Sequence, residues 1–109
     1  MTNKAPIEFG DWPGRIVFGR GAVAQLGAVL ERVGGSRALV ACGSTVARTD
    51  MLAKVTAGLG DRLAAVFAEV TPHTPIEMVE RGLAMFHDSG ADSLVTVGGG
   101  SAIDAGKAI

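Results

Sequence analysis

The sequence contains a single cysteine, Cys42, and therefore has no possibility of an internal disulfide framework. Cys42 ends the short apolar run Ala38–Cys42, where a cysteine is expected to be a small buried side chain rather than a nucleophile. Because nothing in the sequence calls for an oxidising compartment, we expect the protein to work in the reducing cytoplasm.

The chain also lacks a long apolar run and an excess of charge of either sign. No run approaches the roughly 20 apolar residues of a membrane span, and the N-terminus MTNKAPIEFGDW lacks the apolar core of a signal peptide. Ten basic residues against eleven acidic ones leave a net charge of −1, with the basic residues scattered singly. We therefore expect no nucleic-acid partner and no membrane partner.

What the sequence does have is an alternation of short apolar runs with longer amphipathic ones. The short runs predict strands at Arg15–Gly19, Ala38–Cys42, Leu63–Val70 and Leu94–Val97. Helical spacing of apolar residues predicts helices at Gly21–Val33, Thr45–Leu59 and Pro75–Ser89, with a last helix after Ser101. Such alternation is typical of an α/β, Rossmann-like parallel sheet with helices on both faces. A turn at Asp11–Gly14 could also let Ile7–Phe9 pair with the first predicted strand as a hairpin.

Two of these helices carry predictions about which residues face the core. The second helix should turn Met51, Leu52, Val55 and Leu59 inward. In the third, Thr74 and Glu77 can form a capping box around Pro75. The apolar face of that third helix is predicted to consist of Ile76, Val79, Leu83 and Phe86.

Ligands of parallel sheets bind beyond the carboxyl ends of the strands, which directs attention to the loops Gly43–Thr45 and Gly98–Ser101. The second loop is a glycine cluster between a predicted buried strand and a helix. Such a cluster lets the backbone approach a phosphate, and the helix start offers it free N–H groups and a positive dipole end. A glycine-rich turn can also serve only to pack a helix tightly. Three adjacent glycines followed by a serine favour a phosphate or pyrophosphate site.

Two well-known glycine motifs do not fit this loop. The dinucleotide fingerprint G-x-G-x-x-G, begun at Gly98, places Ile103 where the last glycine or alanine belongs. The P-loop pattern G-x-x-x-x-G-K-[ST] places Ser101 at its first glycine and Ala108 at its magnesium-binding hydroxyl.

The pattern Gly98-Gly99-Gly100-Ser101-x-x-Asp104-x-x-Lys107 resembles instead the signature of iron-containing alcohol dehydrogenases. Glycerol dehydrogenases and dehydroquinate synthases share its glycines and aspartate, whereas Ser101 favours the alcohol dehydrogenase branch, which includes maleylacetate reductases. The segments Arg15–Gly21, Val70–Pro75 and Ser89–Asp92 resemble further parts of that family, so the resemblance covers nearly the whole chain.

The resemblance implies that the chain binds NAD or NADP across the end of the sheet. Gly99, Gly100 and Ser101 would receive the pyrophosphate, and Asp104 would hydrogen-bond near the nicotinamide half. The adenosine side would be lined by Gly43, Ser44 and Thr45 and by His73, although His73 could equally be an exposed loop residue. Lys107 is expected to lie on the helix surface or to be an ion partner within the motif.

The resemblance further implies a divalent metal, iron or zinc, held by one aspartate and three histidines on a downstream helical domain. This chain has only His73 and His87, far apart and without ligand-like spacing. We therefore expect residues 1–109 to be an N-terminal dinucleotide-binding domain, truncated before the helical metal-binding domain. It should hold no catalytic or metal-binding residue and be inactive alone. Cofactor and metal would meet a small alcohol, aldehyde or keto substrate only in the complete enzyme, for which a homodimer is one expected assembly.

Other functions remain open from the sequence. Within the family, the complete protein could be a maleylacetate reductase or resemble glycerol dehydrogenases. Outside it, the chain could be a phosphate-binding domain of a kinase or synthase, or a non-catalytic interaction fragment. For the dinucleotide itself, Gly43 stands where relatives that prefer NAD often carry an aspartate, so NADP should be accepted at least as readily as NAD.

Overall fold

This computed structural model describes residues 7–9 and 16–109, with side chains from residue 17 onward, and contains five strands and five α-helices in that part of the chain. The strands are β1 (Ile7–Phe9), β2 (Ile16–Phe18), β3 (Ala38–Gly43), β4 (Leu63–Val70) and β5 (Ser93–Val97). The helices are α1 (Leu26–Arg32), α2 (Ser44–Ala47), α3 (Asp50–Leu59), α4 (Ile76–Asp88) and α5 (Gly100–Ala108). Short 3-10 helices at Ala22–Gln25 and Gly60–Arg62 precede α1 and β4.

β3 forms the centre of a three-stranded parallel sheet in the order β4-β3-β5. Residues Ala38–Cys42 are completely buried because β3 is covered on both faces. β5, in contrast, is only half-buried along its length, since it lies at an edge of the sheet. The predicted α/β fold with helices on both faces of a parallel sheet is thus confirmed.

The two faces of the sheet carry separate hydrophobic clusters because successive side chains of a strand point to opposite sides. One cluster joins β3 and β4 to α4 and α5, through Leu39, Ala41, Phe67, Val70, Met78 and Ala105. The other joins β3 to α1 and α3, through Leu30, Ala38, Val40, Val55 and Leu59.

β1 and β2 form an antiparallel pair in which Ile7 lies opposite Phe18 and Phe9 lies opposite Ile16. The predicted hairpin is therefore confirmed, with β2 lying inside the predicted strand. The predicted turn at residues 11–14 and the first predicted strand residue, Arg15, lie outside the described residues.

The predicted single helix Thr45–Leu59 is wrong, because the chain leaves the helical conformation at Arg48–Thr49 and starts again at Asp50. Thr49 is extended and caps α3, where its Oγ1 accepts a hydrogen bond from the Met51 N–H at 3.3 Å. Of the side chains predicted inward, Val55 and Leu59 are buried and Leu52 packs against the same cluster, as predicted. Met51, predicted inward as well, is 44% exposed.

The start of α4 also differs from prediction, since the residue before its first turn is Pro75 and no side chain caps it. The expected capping box of Thr74 and Glu77 is wrong because Thr74 is left-handed, with φ of 49°, and one residue too early to cap.

The predicted apolar face of α4 is right only in part: Phe86 packs against the core and Val79 is half-buried. α4 buries Met78 and Gly82, whereas Ile76 and Leu83 are exposed. A Cβ on Gly82 would lie 2.6 Å from Ile109 Cδ1 and 3.3 Å from Phe67 Cε2. α4 therefore presents its smallest residue where these two side chains leave no room for a larger one.

The predicted helix Gly21–Val33 is divided as well, into a 3-10 turn and α1, and Val33 at its end is exposed. Within the part of the chain that the structure describes, no helix is long and apolar enough to cross a bilayer.

Candidate functional site

The strand order creates a crevice at the carboxyl ends of the strands. From the central β3 the chain crosses to β4 on one side and then returns to β5 on the other. At such a switch point the loops after neighbouring strands diverge and leave room for a ligand. Here the loops that diverge follow Gly43 of β3 and Val97 of β5.

A cavity of about 300 Å³ lies at this place and is walled by the ends of all three parallel strands. Its lining comes from the end of each strand and the residues that follow it: Gly43, Ser44, Thr45 and Val46 at β3; Val70, Thr71 and Pro72 at β4; and Val97, Gly98, Gly99, Ser101 and Ala102 at β5. All of these side chains are uncharged, so the lining offers hydroxyl and backbone groups rather than ionic partners to a ligand.

The start of α5 supplies hydrogen-bond donors to this cavity. Gly99 precedes the helix in an extended conformation, and no side chain caps the helix end. Because the first bond back to Gly99 comes from the Ile103 N–H, at 3.2 Å, the N–H groups of Gly100, Ser101 and Ala102 have no partner within the helix. These donors and the positive end of the helix dipole favour an anion.

Two physical reasons explain why glycines occupy positions 98–100. Gly98 has φ of 137°, a conformation that side chains rarely adopt, so the turn itself requires glycine there. A Cβ on Gly99 or Gly100 would meet no atom within 4 Å, so open space lies in front of the helix start. A phosphate could therefore approach the backbone N–H groups unhindered, and the residues present fit a dinucleotide pyrophosphate.

The end of β3 forms the opposite wall. A Cβ on Gly43 would lie 3.3 Å from the Val70 carbonyl oxygen, so this position is confined. The Ser44 and Thr45 side chains are exposed at the cavity, and neither caps α2. Their hydroxyls form no hydrogen bond with any other residue that the structure describes, which leaves both available to a ligand.

The structure brings together five of the eight predicted cofactor residues, Gly43, Ser44, Thr45, Gly99 and Ser101, as lining of one cavity. Gly100 lies between two lining residues, Gly99 and Ser101, but is not itself part of the lining. His73 is exposed in the loop after β4 and lies outside the lining, beside Pro72.

Asp104 is likewise exposed and outside the lining. It is the fifth residue of α5 and so lies beyond the first turn of that helix. Lys107 is exposed near the end of the same helix, as predicted.

The sequence interpretation missed Thr71 and Pro72, which wall the cavity after β4. Their position gave the necessary signal, because they directly follow a predicted strand whose carboxyl end faces the same crevice as the other two. The interpretation of Cys42 is confirmed: the side chain is buried, and burial raises the pKa of its thiol.

A metal does not fit the described part of the chain. Among residues 7–9 and 16–109, no three histidine, cysteine, aspartate or glutamate side chains lie close enough together to hold an ion.

Comparison with known proteins places this fold and cavity in context. Residues 13–109 match the family of iron-containing alcohol dehydrogenases. Maleylacetate reductase from Rhizobium sp. strain MTP-10005 is 38% identical over 95% of the chain. Lactaldehyde reductase from Escherichia coli K12 is 41% identical over the whole chain. The crystal structure of maleylacetate reductase from Agrobacterium tumefaciens superimposes with a TM-score of 0.81 at 36% identity and covers 98% of the chain. The chain spans 29%, 28% and 30% of these three proteins, respectively.

Proposed function

The chain belongs to the iron-containing alcohol dehydrogenase family, and from this premise we propose that it is the dinucleotide-binding domain of an NAD(P)-dependent oxidoreductase. The complete protein would move a hydride between the nicotinamide ring and an alcohol or carbonyl substrate. The observation that carries the proposal is the uncapped start of α5, which directs free backbone N–H groups into a cavity at the switch point of the sheet.

In this proposal the chain binds and orients the cofactor. The N–H groups of Gly100, Ser101 and Ala102 hold the pyrophosphate, and the open space beside Gly99 lets it come close. The hydroxyls of Ser44 and Thr45 face the adenosine ribose across the cavity. When bound, the nicotinamide supplies or accepts the hydride. Fixing the pyrophosphate limits the positions that the ring can reach, which is how a binding domain contributes to the reaction rate.

For the substrate we propose a small carbonyl compound, reduced to an alcohol. Support comes from the names of the relatives, which include maleylacetate reductase and lactaldehyde reductase. Maleylacetate reductase is the finer candidate, because relatives of that name from several bacteria share 33–40% identity with the chain.

For the cofactor we propose that NADP(H) binds at least as well as NAD(H). An acidic side chain after the strand would hydrogen-bond the 2′-hydroxyl of NAD and repel the 2′-phosphate of NADP. Here Gly43 occupies that position, and the cavity lining contains no acidic side chain. Ser44 and Thr45 offer hydroxyl donors instead, and Arg48, exposed just beyond them, can approach an added phosphate.

A fluorescence titration of the chain with NADH and with NADPH in the same salt tests both parts of the proposal. We expect saturable binding of both, with NADPH at least as tight as NADH. Gly99→Ala should weaken both roughly tenfold, since its methyl group enters the space through which the phosphates approach and a lost charge-assisted hydrogen bond costs about 1.5–3 kcal/mol.

The matched control is Ile103→Ala, an exposed residue of the same helix outside the cavity, which should bind like the wild type. Absence of saturable binding by the wild-type chain would refute the domain assignment and favour a non-catalytic module. NADH binding a hundredfold tighter than NADPH would refute the cofactor preference alone.

A further inference from the structure

The loop between β4 and α4 forms the third wall of the cavity and has an unusual backbone. It consists of residues 71–75, and its first two, Thr71 and Pro72, line the cavity. The next two, His73 and Thr74, have φ of 69° and 49° and are the only non-glycine residues with positive φ among those described. The strained pair therefore lies directly beside the cavity wall.

Thr74 is an unfavourable residue for this conformation on two grounds. Its branched Cβ clashes with the backbone in the left-handed region, where such residues are outliers. In addition it precedes Pro75, and a residue before proline prefers an extended backbone. Histidine is more tolerant of the left-handed region, so most of the strain falls on Thr74.

No side-chain interaction of His73 or Thr74 within the described part of the chain offsets this strain. Among the described residues, neither His73 nor Thr74 forms a hydrogen bond or ion pair with another side chain, and α4 has no side-chain cap. The conformation is instead imposed from both ends. Val70 and Met78 are buried in the cluster between the sheet and α4, and the Val79 N–H donates to the Pro75 carbonyl at 3.1 Å.

We propose that His73 and Thr74 are positioning residues, whose strained turn holds Thr71 and Pro72 as a preformed wall for the dinucleotide. Strained conformations persist where the surrounding structure fixes them, and they cluster at ligand sites. A wall that is already ordered spares the ligand the entropic cost of ordering it. This inference rests on the proposed function, because the occupant of the cavity is taken to be the dinucleotide.

Thr74→Gly tests the inference, since glycine adopts the same φ without a clash and also frees the loop. We expect the melting temperature to rise by about 2–4 °C as strain is relieved. NADPH binding, measured by fluorescence titration, should weaken roughly fivefold because the wall must now be ordered on binding. Opposite changes in stability and affinity would not follow from a purely structural residue.

Two further variants sharpen the result. Thr49→Gly is the matched control, because it also replaces a threonine before a helix start. Thr49 is unstrained, with φ of −105°, and its side chain accepts a hydrogen bond from the Met51 N–H. This control should lower the melting temperature slightly and leave NADPH binding unchanged. Thr74→Val keeps the branched side chain and removes the hydroxyl. It should bind NADPH like the wild type, because the proposed role belongs to the backbone.

The outcomes separate the two proposals. If the wild-type chain binds NADPH and Thr74→Gly binds it equally well, or melts at a lower temperature, the positioning role is wrong while the dinucleotide site stands. Equal loss of affinity in Thr74→Val would assign the effect to the hydroxyl and likewise overturn it. If the wild type shows no saturable binding, the proposed function fails and the positioning role fails with it.

Discussion

At the scale of single residues, Ser101 and Asp104 near the start of α5 could serve either a ligand or the stability of the helix. Ser101 lines the cavity, and Asp104 is exposed one turn further along. A serine or aspartate near a helix start can stabilise the helix by capping it. Neither residue does so here, because Gly99 occupies the capping position and no side chain caps the end. Neither residue is therefore required as a helix cap, and the proposed function assigns both to dinucleotide binding.

Asp104→Ala should consequently weaken NADPH binding roughly tenfold, as expected for the loss of a hydrogen bond to a charged group. The melting temperature should change by no more than about 2 °C, since an exposed residue without a protein partner contributes little to stability. Fluorescence titration and thermal unfolding monitored by circular dichroism measure the two effects. Asp88→Ala is the control, because it removes the same charge from the far end of α4. A large loss of stability with intact binding would contradict this expectation.

Much of the site could be predicted from single residues, because a cluster of glycines indicates a turn or a close approach of another group to the backbone. The cluster Gly98–Gly100 identifies a turn and an open approach, and both are properties of the local chain. His73 could not be placed in the same way. Whether it reaches the cavity depends on the left-handed turn after β4, which is imposed by packing at both ends of the loop.

At the scale of elements, glycines allow two of the helices to pack unusually close to the elements beside them. A Cβ on Gly106 of α5 would lie 2.3 Å from Thr96 Cγ2 of β5, well inside contact distance. On the opposite face, a Cβ on Gly58 of α3 would lie 2.8 Å from the Val23 carbonyl oxygen. The helices therefore pack as closely to their neighbours as a missing side chain allows.

Gly106→Ala should push α5 away from β5 and lower the free energy of unfolding by about 1–3 kcal/mol, the usual cost of overpacking. Urea unfolding followed by circular dichroism measures this loss. Gly100→Ala makes the same substitution in the same helix, but its Cβ enters open space. It should leave stability unchanged or slightly higher, since alanine favours a helix more than glycine does. Equal stability of the two variants would show that α5 can shift without cost.

Element types followed well from the sequence, whereas helix boundaries and buried faces did not. The apolar runs of β3 and β4 are self-evident because strands covered by helices are continuously apolar. The break before α3 is different, since Thr49 lies within an unbroken helical pattern and stops it by capping the next helix. The buried stripe of α4 packs against Phe67 and Ile109, which are distant from it in sequence, and periodicity cannot reveal which stripe meets them.

At the scale of the whole molecule, binding and stability are placed at opposite ends of the sheet. The cavity lies at the carboxyl ends of the strands. At the amino ends, Asp92 joins the loop before β3 to the loop before β5. Its carboxylate accepts hydrogen bonds from the Arg37 N–H at 3.0 Å, the Ser36 N–H at 3.0 Å, the Ser36 hydroxyl at 2.7 Å and the Ser93 hydroxyl at 2.9 Å.

These bonds, first among them that from the Arg37 N–H, hold the pKa of Asp92 far below its usual range, because they stabilise the charged form. A group whose pKa is lower in the folded state contributes stability above its unfolded pKa, about 3.9 for aspartate, and loses it as the pH falls toward the folded value. Asp92→Asn should therefore lower the melting temperature at pH 7, and its difference from the wild type should shrink progressively below about pH 4.

Melting temperatures measured between pH 7 and pH 2 test this expectation, with Asp88→Asn as the control. The Asp88 carboxylate forms no hydrogen bond or ion pair with another residue of the described chain, so its replacement should have little effect at pH 7. NADPH affinity at pH 7, measured well below the melting temperature, should be the same in Asp92→Asn and in the wild type, because the cavity is at the other end of the sheet. Weaker binding in Asp92→Asn would show that the two ends are coupled through β3 and β5. A melting difference independent of pH would show that the contribution of Asp92 does not depend on its charge.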